Sequence, residues 1–117
     1  MRPTVLVVDD DRAVRSYMQL ALERNHFEVI APASASEALS LLETSDRKIG
    51  AVVSDVAMPD MDGFTFARAV TSRFPEMPIL MVSGCFPDNP EPQRFPLLRK
   101  PFGPAALVSA VRRLFGA

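Results

Sequence analysis

The chain contains little of what would mark a secreted or membrane protein. Its 117 residues include one cysteine and no tryptophan, so no internal disulfide can form and nothing requires an oxidising compartment. The uninterrupted apolar stretches are far shorter than the roughly twenty residues that cross a bilayer. The first four residues also lack the apolar stretch of a signal peptide. We therefore expect no membrane span and a cytoplasmic protein.

An excess of charge of either sign is absent as well. Thirteen Lys and Arg residues face fourteen Asp and Glu residues, which gives a formal net charge of −1. The basic residues are scattered along the chain, and only the pair Arg112 and Arg113 is locally basic. Because a nucleic-acid surface needs clustered positive charge, we expect no direct nucleic-acid binding.

What the sequence does contain is a regular alternation of short apolar runs with segments of helical period. The length fits one domain, so residues 1–117 are taken as a single unit. Five apolar runs are typical of strands covered on both faces: 5–8, 29–31, 51–53, 79–82 and 97–98. Helices are predicted over about 12–25, from 34–36 onward, after Gly63 and from Pro104. This pattern predicts an open, doubly wound α/β sheet.

The crossover between the fourth and fifth strands breaks the pattern. Prolines at positions 87, 90, 92 and 96 remove amide donors and block helical neighbours. We expect a largely irregular, proline-rich loop there in place of a helix.

Polar residues follow the apolar runs, and in such a sheet ligands bind at the carboxyl ends of the strands. Each of these residues has an ordinary explanation when taken alone, such as a helix cap, a turn or a surface lysine. They are Asp9, Asp10 and Asp11 after the first run, Asp55 after the third, Ser83 and Gly84 after the fourth, and Arg99 and Lys100 after the fifth. Clustered carboxylates repel one another, and a hard dication such as Mg²⁺ relieves that repulsion. A phosphoryl group bound there would need the cation and the hydroxyl that Lys100 and Ser83 supply.

Four sequence motifs, in this order on alternating strands, carry a family resemblance: residues 7–10 (VVDD), 54–63 (SDVAMPDMDG), 81–84 (MVSG) and 99–102 (RKPF). Through them the chain resembles the receiver domain of two-component response regulators over nearly its whole length. The fold this implies is a single-domain, five-stranded parallel sheet in the flavodoxin-like order 2-1-3-4-5, with the fourth helix largely replaced by the proline-rich loop.

The resemblance also implies a chemistry. Asp55 would be the phosphoacceptor, with Ser83 and Lys100 contacting the phosphoryl group. Mg²⁺ or Mn²⁺ would be held by Asp9, Asp10, Asp55 and the backbone carbonyl of Ala57. The phosphoryl donor would be a sensor histidine kinase or a phosphotransfer protein, and the sequence leaves the downstream target open. The domain would assist its own phosphorylation and dephosphorylation without turning over an external substrate. The Lys100–Pro101 bond resembles one that is cis in this family.

Two departures from the family pattern and three other readings stay open at this point. Leu97 stands where many receivers carry an aromatic switch residue, and the proline-rich loop alters the usual signalling face. The chain could instead be a receiver-like interaction module that works without phosphorylation. A phosphohydrolase with an aspartyl nucleophile would need an acid where Ala57 stands. A flavin-binding module would need a phosphate loop in place of the acids after the first strand.

Overall fold

The computed structural model describes residues 2–44, 48–84 and 95–116 of the chain. Strands and helices alternate through these residues. The strands are β1 (Thr4–Val8), β2 (Glu28–Ile30), β3 (Ile49–Asp55), β4 (Ile79–Ser83) and β5 (Leu97–Arg99). The helices are α1 (Arg12–Glu23), α2 (Ala35–Thr44), α3 (Gly63–Arg73) and α4 (Pro104–Leu114). Each predicted helix and strand is present, and the boundaries differ from prediction by a few residues.

All five strands form one parallel sheet in the order β2-β1-β3-β4-β5. The predicted flavodoxin-like order is therefore confirmed. The chain reverses its direction of winding at β1, so the carboxyl ends of β1 and β3 lie side by side at the switch point. Such a point is where open α/β sheets bind their ligands.

Successive residues of β1 face opposite sides of the sheet, and both sides are packed. Val5 and Val7 belong to a core with α1 and α4, whereas Leu6 and Val8 belong to a second core with α2 and α3. All four side chains are fully buried. This explains why the strand sequence shows no polar alternation, because neither face meets water.

β5 departs from that expectation. It is an edge strand of three residues, and Leu97 keeps 37% of its surface exposed. An apolar run of two residues therefore did not mark a strand covered on both faces.

Side chains cap three of the helices as the sequence predicts or permits. Asp11 caps α1 by accepting from the amides of Ala13 and Val14. The spacing of Ser34 and Glu37 predicts a capping box at the start of α2, and one half of it is present, since the hydroxyl of Ser34 accepts from the amide of Glu37 at 3.1 Å. Asp62 caps α3. α1 ends at Glu23 rather than near Asn25.

The predicted proline-rich loop lies mostly outside the described residues. The sequence predicts that Phe86 and Phe95 anchor this loop to the core. Phe95, at the far end of the loop, is buried against the α2 and α3 core, and Phe86 lies outside the described residues. No helix in the described ranges is both long enough and apolar enough to cross a membrane.

Gly63 permits the close approach of α3 to the end of β3. A Cβ atom at this position would lie 2.1 Å from the backbone oxygen of Asp55 and 2.8 Å from the Cα of Val56. The amide of Gly63 also donates to the carbonyl of Val56 at 2.8 Å. Only a residue without a side chain fits there.

We predict that Gly63→Ala destabilises the protein by about 3 kcal/mol or more, because backbone atoms cannot yield to the added methyl group. Gly84→Ala is the matched control, since among the described residues its Cβ would meet only the flexible Lys100 side chain, at 3.8 Å, and should change stability by less than about 0.5 kcal/mol. Urea unfolding followed by circular dichroism measures both. Equal stabilities for the two variants would contradict this account of Gly63.

Candidate phosphoryl-acceptor site

The parallel sheet brings the predicted site residues to one rim. Asp9 follows β1 directly, Asp55 is the last residue of β3, Ser83 is the last residue of β4, and Lys100 follows β5. Pairing of Val8 with Ser54 and of Asp55 with Val82 aligns these strand ends at one level. The site is therefore a direct product of strand register.

Three carboxylates of this rim form a compact cluster. One oxygen from each of Asp9, Asp10 and Asp55 lies within 4.8 Å of the other two. Asp9 is fully buried and Asp55 is 6% exposed, whereas Asp10 is exposed. The third aspartate of the run, Asp11, is used as the cap of α1. The sequence showed three equivalent acids, and the structure gives them different roles.

Lys100 is the cation that faces the two buried carboxylates. Its Nζ atom lies 3.4 Å from Oδ2 of Asp9 and 3.4 Å from Oδ1 of Asp55. These distances are long for hydrogen bonds and describe an ammonium ion shared between two carboxylates. The Lys100–Pro101 bond is cis, as the family resemblance implied, and the amide of Lys100 donates to the carbonyl of Ser83 at 2.8 Å.

Burial changes the ionisation of all three groups. It raises the pKa of Asp9, and the charge of Asp55 adds to that rise. Burial likewise raises the pKa of Asp55, although Lys100 and the backbone amides of Ala57 and Val56 oppose it. Burial alone would lower the pKa of Lys100, but the two carboxylates outweigh it and the pKa is raised. Burial is thus the main cause of the raised carboxylate pKa values, and Lys100 offsets it only in part.

Ser83 and Ala57 complete the predicted set. The Ser83 side chain is buried at the end of β4, beside the strand that ends in Asp55. Ala57 is exposed in the loop that follows β3. The structure therefore places the hydroxyl on the same rim as the acids, while the roles of Ser83 and of the Ala57 carbonyl remain predictions.

Two residues of α1 that the sequence did not single out for the site also reach it. Arg15 donates from Nη1 to the backbone carbonyl of Asp9 at 2.8 Å. The hydroxyl of Tyr17 donates to the carbonyl of Phe102 at 2.9 Å, just beyond Lys100. Tyr17 falls at helical spacing with the apolar residues Val14, Met18, Ala21 and Leu22, which predicts that it lies on the buried stripe of α1, yet it is 39% exposed. A polar tip on an otherwise apolar helix face was the signal that could have marked it.

Comparison with known proteins decides the family. The model of the response regulator receiver domain matches residues 5–112. The chain belongs to the response-regulator receiver domain family. Such domains are signalling modules of two-component systems, not enzymes that turn over a substrate. They interact with histidine kinases or phosphotransfer proteins.

Curated relatives of this receiver domain are much longer proteins. The C4-dicarboxylate transport transcriptional regulatory protein DctD of Rhizobium meliloti is 37% identical over 117 residues, which cover 95% of this chain and 25% of that protein. The sensor kinase CckA of Brucella abortus is 36% identical over 116 residues, covering 95% and 12% respectively. The chain thus spans a quarter or less of the length of these two relatives.

Solved structures confirm the fold. The chemotaxis protein CheY4 of Vibrio cholerae, crystallised at low pH, superposes with a TM-score of 0.86 at 31% identity and covers 97% of this chain and 99% of its own. A response regulator receiver protein from Sinorhizobium medicae gives the same TM-score and identity, with coverages of 99% and 96%. The whole described sheet and its helices therefore follow the receiver architecture.

We predict that Asp9→Asn stabilises the metal-free receiver domain at neutral pH. The amide removes a buried charge and can still accept from the amide of Asp11, which now donates to Oδ1 of Asp9 at 2.8 Å. Because folding raises the pKa of Asp9 above its ordinary 3.8, the folded wild type binds this proton more tightly than the unfolded chain. Its stability should therefore fall as pH rises from about 3.8 through the raised pKa.

Thermal unfolding in the presence of a chelator, at several pH values, measures this difference. The advantage of Asp9→Asn should grow over the same pH window. Glu76→Gln is the control and should show no such trend. Glu76 is an exposed acid that precedes β4, at the amino ends of the strands and away from the rim. A variant less stable than wild type at every pH would contradict the prediction.

Proposed function

We propose that this receiver domain, spanning residues 1–117, accepts a phosphoryl group on Asp55 from the phosphohistidine of a sensor histidine kinase or phosphotransfer protein. The reaction depends on Mg²⁺ and takes place in the cytoplasm, where nucleotide-driven kinases work. The observation that supports this most is the ammonium group of Lys100, which lies 3.4 Å from carboxylates of both Asp9 and Asp55 on one rim. An acceptor, acidic ligands and a phosphate-pairing cation are thus already together.

Asp55 is the nucleophile in this proposal. One of its carboxylate oxygens attacks phosphorus opposite the P–N bond of the phosphohistidine. A P–O bond forms while the P–N bond breaks, and the imidazole leaves with the electron pair of that bond and takes up a proton. The product is an acyl phosphate on Asp55. The carboxylate must be ionised to attack. The positive charge of Lys100 opposes the rise in the pKa of Asp55 and so favours the ionised carboxylate.

Lys100 and Ser83 stabilise the transferred group. The phosphoryl group brings negative charge and three acceptor oxygens. The ammonium group of Lys100 needs only a short movement from the carboxylates to pair with them, and the hydroxyl of Ser83 at the neighbouring strand end donates a hydrogen bond. Both side chains lie at the ends of the two strands at one side of the sheet, so their movement alters the surface that partners meet there.

The acidic cluster fits a hard divalent cation. Asp9, Asp10 and Asp55 offer carboxylate oxygens within 4.8 Å of one another, and the backbone carbonyl of Ala57 would add a further oxygen ligand. Oxygen ligands of this kind suit Mg²⁺ or Mn²⁺. When bound, the cation supplies positive charge that offsets the carboxylates and the phosphoryl oxygens. Burial raises the pKa values of Asp9 and Asp55 despite the opposing charge of Lys100, so a cation that stabilises the ionised carboxylates would be favourable there.

The same groups serve removal of the phosphoryl group by water. A water molecule attacks phosphorus, the P–O bond to Asp55 breaks, and the carboxylate and inorganic phosphate are released. The domain therefore assists both its own phosphorylation and its own dephosphorylation, and each molecule acts on itself.

We predict that acetyl phosphate with Mg²⁺ adds one phosphoryl group to the protein, at Asp55. Intact mass spectrometry detects the adduct, hydroxylamine removes it because acyl phosphates react with strong nucleophiles, and Asp55→Asn abolishes it. A protein that binds a purified histidine kinase but never gains the adduct would instead support the phosphorylation-independent interaction module.

We predict that Lys100→Ala slows adduct formation by about a hundredfold, the usual effect of losing one group that stabilises developing charge. Lys48 is the only other lysine of the sequence. It is exposed just before β3, at the amino ends of the strands and away from the rim, so Lys48→Ala should leave the rate unchanged. Equal rates for the two variants would remove Lys100 from the mechanism.

We predict that Mg²⁺ raises the thermal midpoint of the wild type. At a free Mg²⁺ concentration of a hundred times its dissociation constant, the free energy of unfolding should increase by about 2.7 kcal/mol. The gain should shrink as pH falls through the raised pKa values of Asp9 and Asp55, because protons compete with the cation for the carboxylates. Differential scanning calorimetry with and without Mg²⁺ measures it. A gain of full size in Asp9→Asn would place the cation elsewhere.

A further inference from the structure

Lys100 lies between two backbone anchors. On its N-terminal side, its own amide donates to the carbonyl of Ser83 at 2.8 Å. After it come the cis bond to Pro101, which has no amide hydrogen, and then Phe102. The second anchor is at Phe102, whose carbonyl accepts the hydroxyl of Tyr17 at 2.9 Å. We call residues 100–103 the lysine loop.

Tyr17 holds the lysine loop through two distinct contacts. Besides the hydrogen bond, its ring packs against that of Phe102, with centroids 5.9 Å apart and planes inclined by 46°. Phe102 in turn packs against the core shared by α1 and α4. A hydrogen bond between residues 85 positions apart therefore joins α1 to the loop that carries Lys100.

The position of the lysine loop matters because Lys100 is a long side chain shared between two carboxylates. Its Nζ is 3.4 Å from each of them, a distance longer than that of a typical hydrogen bond. Four rotatable bonds separate the ammonium group from the backbone, so the flexible stem does not fix its position, and the place of the backbone sets the range that the ammonium group can reach. Stabilisation of charge in a transition state depends on groups held in place beforehand.

We propose that Tyr17 is a positioning residue for Lys100: its hydroxyl fixes the Phe102 carbonyl and thereby holds the ammonium group over Asp9 and Asp55. The part of this inference that concerns rates rests on the proposed phosphoryl transfer to Asp55. The part that concerns the order of the Lys100 side chain does not.

Tyr17→Phe is the variant that tests the proposal, because it keeps the ring contact with Phe102 and removes only the donor. With acetyl phosphate and saturating Mg²⁺, adduct formation on Asp55 should slow by about three- to tenfold, the range expected for one hydrogen bond. The dissociation constant of Mg²⁺ should stay unchanged, since the acidic ligands are held by β1 and β3. Leu20→Ala, an exposed residue of the same helix, is the control and should leave the rate unchanged.

A double-mutant cycle shows whether Tyr17 acts through Lys100. In the Lys100→Ala background, Tyr17→Phe should have no further effect on the rate. An equal slowing in both backgrounds would mean that Tyr17 acts by another route, and an unchanged rate in the single variant would mean that it does not act at all. Either result overturns the proposal.

A measurement on the unphosphorylated protein separates this inference from the proposed function. The sequence has only two lysines, so labelling with ¹³C-lysine gives two Cε signals. Lys48 is exposed, and its signal is the internal reference for a lysine side chain in solvent. In the wild type, the relaxation of the Lys100 signal should show a more ordered side chain than that of Lys48. Tyr17→Phe should reduce that difference, and an unaltered Lys100 signal would refute the positioning role even in a protein that takes up no phosphoryl group.

Discussion

Two buried carboxylates share one ammonium ion at the switch point of the sheet, and the rest of the molecule holds them there. Separated from water, Asp9 and Asp55 repel each other more strongly than exposed acids would. A flexible loop would let them move apart. Instead each is fixed at the end of a strand that is packed on both faces, so the backbone supplies the restraint that keeps like charges together. A bound dication would relieve the energetic cost of that arrangement, as the proposed function requires.

The parts around this pair can be understood as supports for it. Gly63 lets the first turn of α3 press against the backbone oxygen of Asp55. Arg15 reaches back from α1 to the carbonyl of Asp9, while the amide of Asp11 binds the Asp9 side chain. These contacts come from two segments, the start of α1 and the start of α3, and each uses a backbone atom of the site or a hydrogen bond to a carboxylate. The positions of Asp9 and Asp55 are thus maintained by several contacts and not by one strong interaction.

Much of the fold and of the site could be predicted from the sequence, and the predictions that were wrong have physical causes. Strand ends could be located because apolar runs stop at Asp9, Asp55 and Ser83, and parallel strands bring such ends to one rim. Side-chain direction was harder to predict. Tyr17 matches the apolar period of α1, and its polar tip indicates that it needs a partner, but no local pattern identifies that partner as a carbonyl 85 positions along the chain. β5 was misjudged as a doubly covered strand because two apolar residues carry no periodicity, and edge position depends on the order of the whole sheet.

The start of α1 immediately after the aspartate run couples helix phase to the geometry of the acids. Asp11 is both the neighbour of the cluster and the cap of the helix, and Arg15 and Tyr17 reach the site only from their present angular positions. One residue inserted between Asp11 and Val14 would turn the rest of the helix by about 100° and swing both side chains away from their carbonyl partners. The spacing between the acids and this helix therefore tolerates substitution far better than it tolerates a change in length.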